Sequence, residues 1–149
     1  KADIIHANDW HTAMIPVYIH SNYRYDNFWK DAKCVFEIHN LAYQGQYNMD
    51  ILNFANMYIC DVFHSYGCEH FGSLNWLKGA VNYSDRIVAV SPKYAEEILT
   101  DEYGEGMDYT LRMNQHKLVG IVNGIDTNEW NPETDQLIEK TLGEICEKK

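Results

Sequence analysis

The sequence predicts an α/β fold: a parallel sheet with crossover helices. Three observations carry this. Four apolar, β-branched runs recur along the chain, at Asp3-Ile4-Ile5-His6, Cys34-Val35-Phe36-Glu37-Ile38, Arg86-Ile87-Val88-Ala89-Val90 and Lys117-Leu118-Val119-Gly120-Ile121-Val122. Helix-like stretches separate them, which is the connection parallel neighbours require. Each run also ends in a polar cluster: Asn8-Asp9-Trp10-His11, His39-Asn40, Ser91-Pro92-Lys93-Tyr94 and Asn123-Gly124-Ile125-Asp126. Parallel strands gather those clusters at one edge, where open α/β sheets bind ligands.

After the first strand, Trp10 to Ser21 reads as a helix with Ala13, Met14, Val17 and Tyr18 on one face, although Pro16 removes a hydrogen bond if it lies in the interior. Asn22 to Asp31 is an aromatic-rich loop. The second strand carries Glu37, an acid that must be paired or lie near a strand end. Tyr43-Gln44-Gly45-Gln46 follows as a turn, and Ile51 to Tyr66 has weak helical patterning. Leu74, Leu77, Lys78, Val81 and Asn82 mark a helix that exits at Ser84-Asp85. Ser91 as N-cap and Pro92 at the first helical position start the next one. It stops by Tyr103-Gly104-Glu105-Gly106, and a short helix from Met107 to Asn114 leads into the fourth strand. Thr134 to Lys149 reads as a helix without its packing partner.

At 149 residues the chain suits one domain, burying roughly 70% of its unfolded surface. Its net charge of -10, from 12 basic and 22 acidic residues, argues against nucleic acid or an anionic membrane as partner. No stretch reaches the ~20 apolar residues of a spanning helix. Four cysteines without a paired framework, one of them in a buried strand, point to a reducing cytoplasmic setting. The chain enters its first strand almost at once, without an initiating Met, and is expected to be a segment of a longer polypeptide.

His6, Asp9 and His11, or Cys60, His64, Cys68 and His70, lack the paired spacing of a zinc site, so no metal is expected. Nucleophile-elbow, Walker and dinucleotide-binding motifs are missing from the sequence, and Gly104-Glu105-Gly106 does not join a strand to a helix. What remains is the edge constellation of Asp9, Trp10, His11, His39, Asn40, Ser91, Tyr94, Asn123 and Asp126. Carboxylate, amide and imidazole groups beside aromatic faces suit a sugar, whose hydroxyls exchange hydrogen bonds while its ring face stacks.

At these residues the chain resembles bacterial glycogen synthases and plant starch synthases. The matching stretches are HANDWHTAMIPVY from His6, VFEIHNLAYQG from Val35, LNWLKGAVNYSDRIVAVSPKYAEEI from Leu74, EYGEGMDYTLR from Glu102 and VGIVNGIDTNEWNPETD from Val119. The resemblance implies that residues 1–149 are part of the N-terminal, acceptor-side Rossmann-like domain of a two-domain GT-B glycosyltransferase. The leading strand with its Lys-Thr-Gly-Gly loop and the C-terminal donor domain are not in the sequence. It implies retaining transfer of glucose from ADP-glucose to the non-reducing end of an α-1,4-glucan, without cofactor or metal, by a cytoplasmic enzyme (plastidial if from a plant). By position, His39 resembles the catalytic histidine that contacts the transferred glucose, with Asn40 beside it. Asp9 and Trp10 resemble residues lining the cleft where acceptor and glucose meet, and Asn123 resembles an asparagine at the 6-hydroxyl. Tyr43, Gln44 and Gly45 shape the loop after the histidine. The partners implied are both substrates and the enzyme's own C-terminal domain, so the isolated chain is expected to be inactive. A non-catalytic sugar-binding or regulatory module on the same shell is the alternative reading. Glu37 departs from the family's usual small or apolar residue.

Overall fold

A computed structural model describes residues 2–138. The expected helix from Thr134 to Lys149 therefore lies mostly outside the described residues, as does Cys146.

The main sheet is four-stranded, parallel and ordered β1-β2-β6-β7, with β1 at Ile4–Asn8, β2 at Lys33–Ile38, β6 at Arg86–Ala89 and β7 at Leu118–Gly120. These are the four runs read from the sequence, each trimmed or shifted by a few residues. The register puts Ala7, Phe36, Ile87 and Leu118 in one row across the sheet, and Asn8, Glu37, Val88 and Val119 in the next. Side chains alternate between faces along a strand. The first row belongs to a core with Val17, Leu77, Ala80, Val81 and Leu111; the second carries polar groups at its β1 and β2 end.

Between β1 and β2, the single expected helix is two: α1 at Asp9–Thr12 and α2 at Met14–His20. The break at Ala13 places Pro16 in the first turn of α2, where a backbone N–H has no intrahelical partner to lose. Ile51 to Tyr66 holds two single turns, α3 at Ile51–Phe54 and α4 at Ile59–Val62. α5, at Trp76–Tyr83, packs on α2; Asn75 caps it by accepting from Lys78 N at 2.9 Å. α6, at Pro92–Glu97, begins as expected, with Ser91 Oγ accepting from Tyr94 N at 2.9 Å. α7 spans Asp108–Met113.

A second sheet, three-stranded and antiparallel, was not anticipated. It comprises β3 at Gln46–Tyr47, β4 at Glu69–His70 and β5 at Ser73–Asn75, in the order β3-β5-β4. Leu74 thus lies in a strand, not in the helix that follows. Lys78, buried in α5, donates its ammonium to Glu69 O and so ties α5 to β4. β7 ends at Gly120 instead of Val122, and a single further bond, from Ile121 N to Ala89 O at 2.8 Å, extends its ladder. A Cβ at Gly120 would sit 2.3 Å from both Pro92 Cα and Ser91 O, so only glycine lets β7 pass the start of α6.

Among the described residues, no helix is long and apolar enough to cross a membrane.

Candidate active site

All four strands run the same way, so the loops after Asn8, Ile38, Ala89 and Gly120 share one edge of the sheet. Asp9 opens the first of these loops in the left-handed region, with φ 55, a conformation that costs a non-glycine residue about 1–3 kcal/mol. Two hydrogen bonds act against that cost. Asp9 Oδ1 accepts from His39 N at 2.9 Å and from Asn40 N at 3.3 Å, tying the loop after β1 to the loop after β2. The carboxylate expected to face substrate is therefore also a clamp on the two residues expected to hold it.

His39 is flanked through its ring. Its Nε2 lies 3.4 Å from Asn8 Oδ1 and 3.4 Å from Glu37 Oε1. Glu37 is paired, as its place in a strand demanded: Oε2 is 2.8 Å from His6 Nε2, and the side chain is 13% exposed. Asn40 Oδ1 accepts from Ala42 N at 3.0 Å and shapes the turn that follows.

The chain then runs through Leu41, whose N–H donates to the Tyr94 hydroxyl at 3.1 Å. Burial raises the Tyr94 phenol above its ordinary pKa; the Leu41 N–H opposes this, and the carboxylates of Asp9, Glu105 and Glu97 add to it. Tyr94 is thus a neutral strut from α6 to the histidine loop, a role its sequence position alone did not show. Gln44 is buried and fully engaged. Its Nε2 donates to Leu41 O at 3.1 Å and Glu105 O at 2.9 Å, while Oε1 accepts from Asn75 Nδ2 at 2.7 Å and Gln46 Nε2 at 3.1 Å. These four bonds fix the loop from inside.

Trp10, Tyr43, Gln44, Gly45, Tyr47 and Glu105 line an open cleft of about 520 Å³ beside this platform. Tyr43 is exposed, and the Trp10 ring lies 6.3 Å from Tyr47 and 4.3 Å from His11. Gly45, at φ 64, packs against the indole: a Cβ there would be 2.6 Å from Trp10 Cε3. Gly45→Ala should therefore displace Trp10 and strain the backbone together, costing about 1–3 kcal/mol. Chemical denaturation and Trp fluorescence check this; an unchanged midpoint and spectrum would show the loop yielding freely.

Seven of the expected residues thus form two adjoining groups: Asp9, His39 and Asn40 on the platform, and Trp10, Tyr43, Gln44 and Gly45 in the cleft. Asn123 stands on the exposed segment after β7, at the same edge, but no hydrogen bond joins it to His39 or Asp9 among the described residues. Asp126 Oδ1 accepts from Asn128 N at 2.9 Å and Glu129 N at 3.2 Å, so it stabilises a local turn. Tyr47 and Glu105 were missed in the cleft. The only signal for Glu105 was its place between two glycines, in a turn where it takes φ 49. Among the described residues, no group of three or more His, Cys, Asp or Glu is arranged to hold a metal ion.

The polar platform and the aromatic cleft lie together at the C-terminal edge of a parallel α/β sheet, the place where open sheets of this kind bind ligands. The chain belongs to the starch synthase catalytic domain family, which it matches over residues 1–113. It is 49% identical over 142 residues to a glycogen synthase of Thermotoga maritima, covering 93% of this chain and 28% of that protein. Glycogen synthases of Pseudothermotoga lettingae and Clostridium perfringens are 46% and 47% identical, covering 91% and 94% of this chain and 28% and 29% of theirs. The catalytic domain of starch synthase IV from Arabidopsis thaliana, solved bound to ADP and acarbose, superposes with a TM-score of 0.84 at 33% identity, over 95% of this chain and 29% of that one. The GT-B fold class expected from the sequence is thereby borne out. The chain spans between a quarter and a third of the length of the relatives it matches.

Proposed function

We propose that the protein carrying this chain transfers glucose from ADP-glucose to the non-reducing 4-hydroxyl of an α-1,4-glucan, with retention of configuration. The observation that supports this best is the Asp9 clamp. It fixes His39 and Asn40 beside an aromatic cleft, as is needed to seat a glucose next to a stacked glucan chain. That the starch synthase neighbour was solved with ADP and acarbose supports the choice of nucleotide and of a glucan acceptor.

In this reading His39 contacts the transferred glucose and steadies positive charge developing at its anomeric carbon. Asn40 and Asn123 bind hydroxyls of the same sugar. Trp10 and Tyr43 face the acceptor, while Asp9, Gln44 and Gly45 hold the loops that present them. Among the described residues no carboxylate at this edge is a convincing covalent nucleophile, and the reading is front-face transfer: the acceptor oxygen bonds to the anomeric carbon as the bond to ADP breaks, and the departing diphosphate takes the acceptor proton. Residues 1–149 supply orientation and charge stabilisation, and a C-terminal domain of the same polypeptide supplies the donor's anchor. No cofactor or metal enters this scheme, nor does a nucleic-acid or membrane partner. We place the enzyme in the cytoplasm, or in the plastid if the source is a plant.

The test is incorporation of radiolabelled glucose from ADP-glucose into glycogen by the complete polypeptide, beside the 149-residue chain alone. Transfer by the first and none by the second is expected. Glucan binding without transfer from any nucleotide sugar would instead identify a sugar-binding module.

A further inference from the structure

The side chain that the family resemblance does not account for is Glu37. It lies on β2, with Asn8 as its register partner on β1. Its two carboxylate oxygens are divided between two histidines, Oε2 at 2.8 Å from His6 Nε2 and Oε1 at 3.4 Å from His39 Nε2. Asn8 Oδ1 approaches the same ring nitrogen of His39 at 3.4 Å. A carboxylate accepts and cannot donate when ionised. A proton on the His39 ring nitrogen between it and the Asn8 oxygen gives both acceptors a donor, whereas a bare nitrogen there would face two oxygen lone pairs. The other charged groups around the histidine are consistent with this. Asp9 engages its backbone N–H rather than its ring, and His6 stands on the far side of Glu37, where it fixes the carboxylate.

We infer that Glu37 is a positioning residue for His39, holding the imidazole in its Nε2–H form and leaving Nδ1 as the ring's acceptor for a sugar hydroxyl. A neutral imidazole backed by a carboxylate is a stronger acceptor than one backed by water, and it can answer positive charge that grows on the sugar. Solvent screening is limited at Glu37, whose side chain is 13% exposed. The carboxylate also explains why an acid is tolerated in a packed strand: it has a partner on each oxygen. The consequence for turnover rests on the glucosyl-transfer reading above, whereas the tautomer does not.

The experiment uses the complete polypeptide with 15N-labelled histidine, as wild type, Glu37→Gln and Glu37→Met, with His39→Ala to assign the His39 resonances. Gln keeps the shape and removes the charge; Met keeps the apolar stem and removes both oxygens. At a pH where the ring is neutral, wild-type His39 is expected to show the Nε2–H pattern alone, and both variants a mixture of tautomers. In ADP-glucose transfer both variants should lose about tenfold in kcat, the size of one charge-assisted contact, while KM for glucan stays within about twofold. A mixed or Nδ1–H pattern in the wild type overturns the inference, as does kcat unchanged in Glu37→Gln. If the wild type transfers no glucose, the functional reading falls and the tautomer pattern alone decides the role of Glu37.

Discussion

Replacing His39 with alanine in the complete polypeptide should lower turnover far more than it weakens glucan binding. An interaction that strengthens as charge develops acts on the transition state and not on the bound ground state. Removing such a contact typically costs about 2 to 4 kcal/mol of barrier stabilisation, or roughly 30- to 1000-fold in kcat. The ring is partly exposed at the platform, and its backbone is held by Asp9 and not by the ring itself. The fold should therefore survive the substitution, with an unfolding midpoint close to that of the wild type. Steady-state kinetics with glycogen as the varied substrate check this. Unchanged kcat with a raised glucan KM would make His39 a simple binding residue.

The second large effect is expected at Asp9. Asp9→Gly removes both hydrogen bonds to the histidine loop, while glycine accepts the left-handed backbone at that position without strain. The substitution therefore isolates the clamp from the conformation. Stability should fall by about 1 to 2 kcal/mol, since each bond to a carboxylate is partly offset by the solvation of the freed groups. Transfer should fall about 100-fold, because a loop displaced by about 1 Å carries His39 and Asn40 out of register with the sugar. Asp9→Asn, which retains one acceptor for the two N–H groups, should keep more of both. Full transfer by a destabilised Asp9→Gly enzyme would show that the clamp serves the fold alone.

The parallel sheet was legible because each strand is an apolar run ended by a polar cluster, and because the connections are too long for hairpins. The cap at Ser91-Pro92 was legible for a local reason: a side-chain oxygen and a missing N–H act where they stand in sequence. The small antiparallel sheet was not. Its strands of two or three residues are too short to show a period, and they are defined by pairing between Gln46 and Asn75 or His70 and Ser73, which no local pattern encodes. The site divides the same way. Its location followed from the direction of the strands, and Glu37 announced a need for a partner. That the partners would be His6 and His39, that Tyr94 would brace Leu41 and that Gln44 would reach Glu105 and Asn75 depend on contacts between distant segments. Asn123 shows the converse: the direction of β7 places it at the shared edge, but strand direction does not determine which groups its amide meets.

The most direct test of a glucosyl-transfer site at this edge is a crystal structure of the complete polypeptide with ADP and a malto-oligosaccharide. A glucose against His39 and Asn40, with the following sugars over Trp10 and Tyr43, is the predicted result. An oligosaccharide bound on another surface, with the His39 platform and the Trp10 cleft both empty, would contradict it.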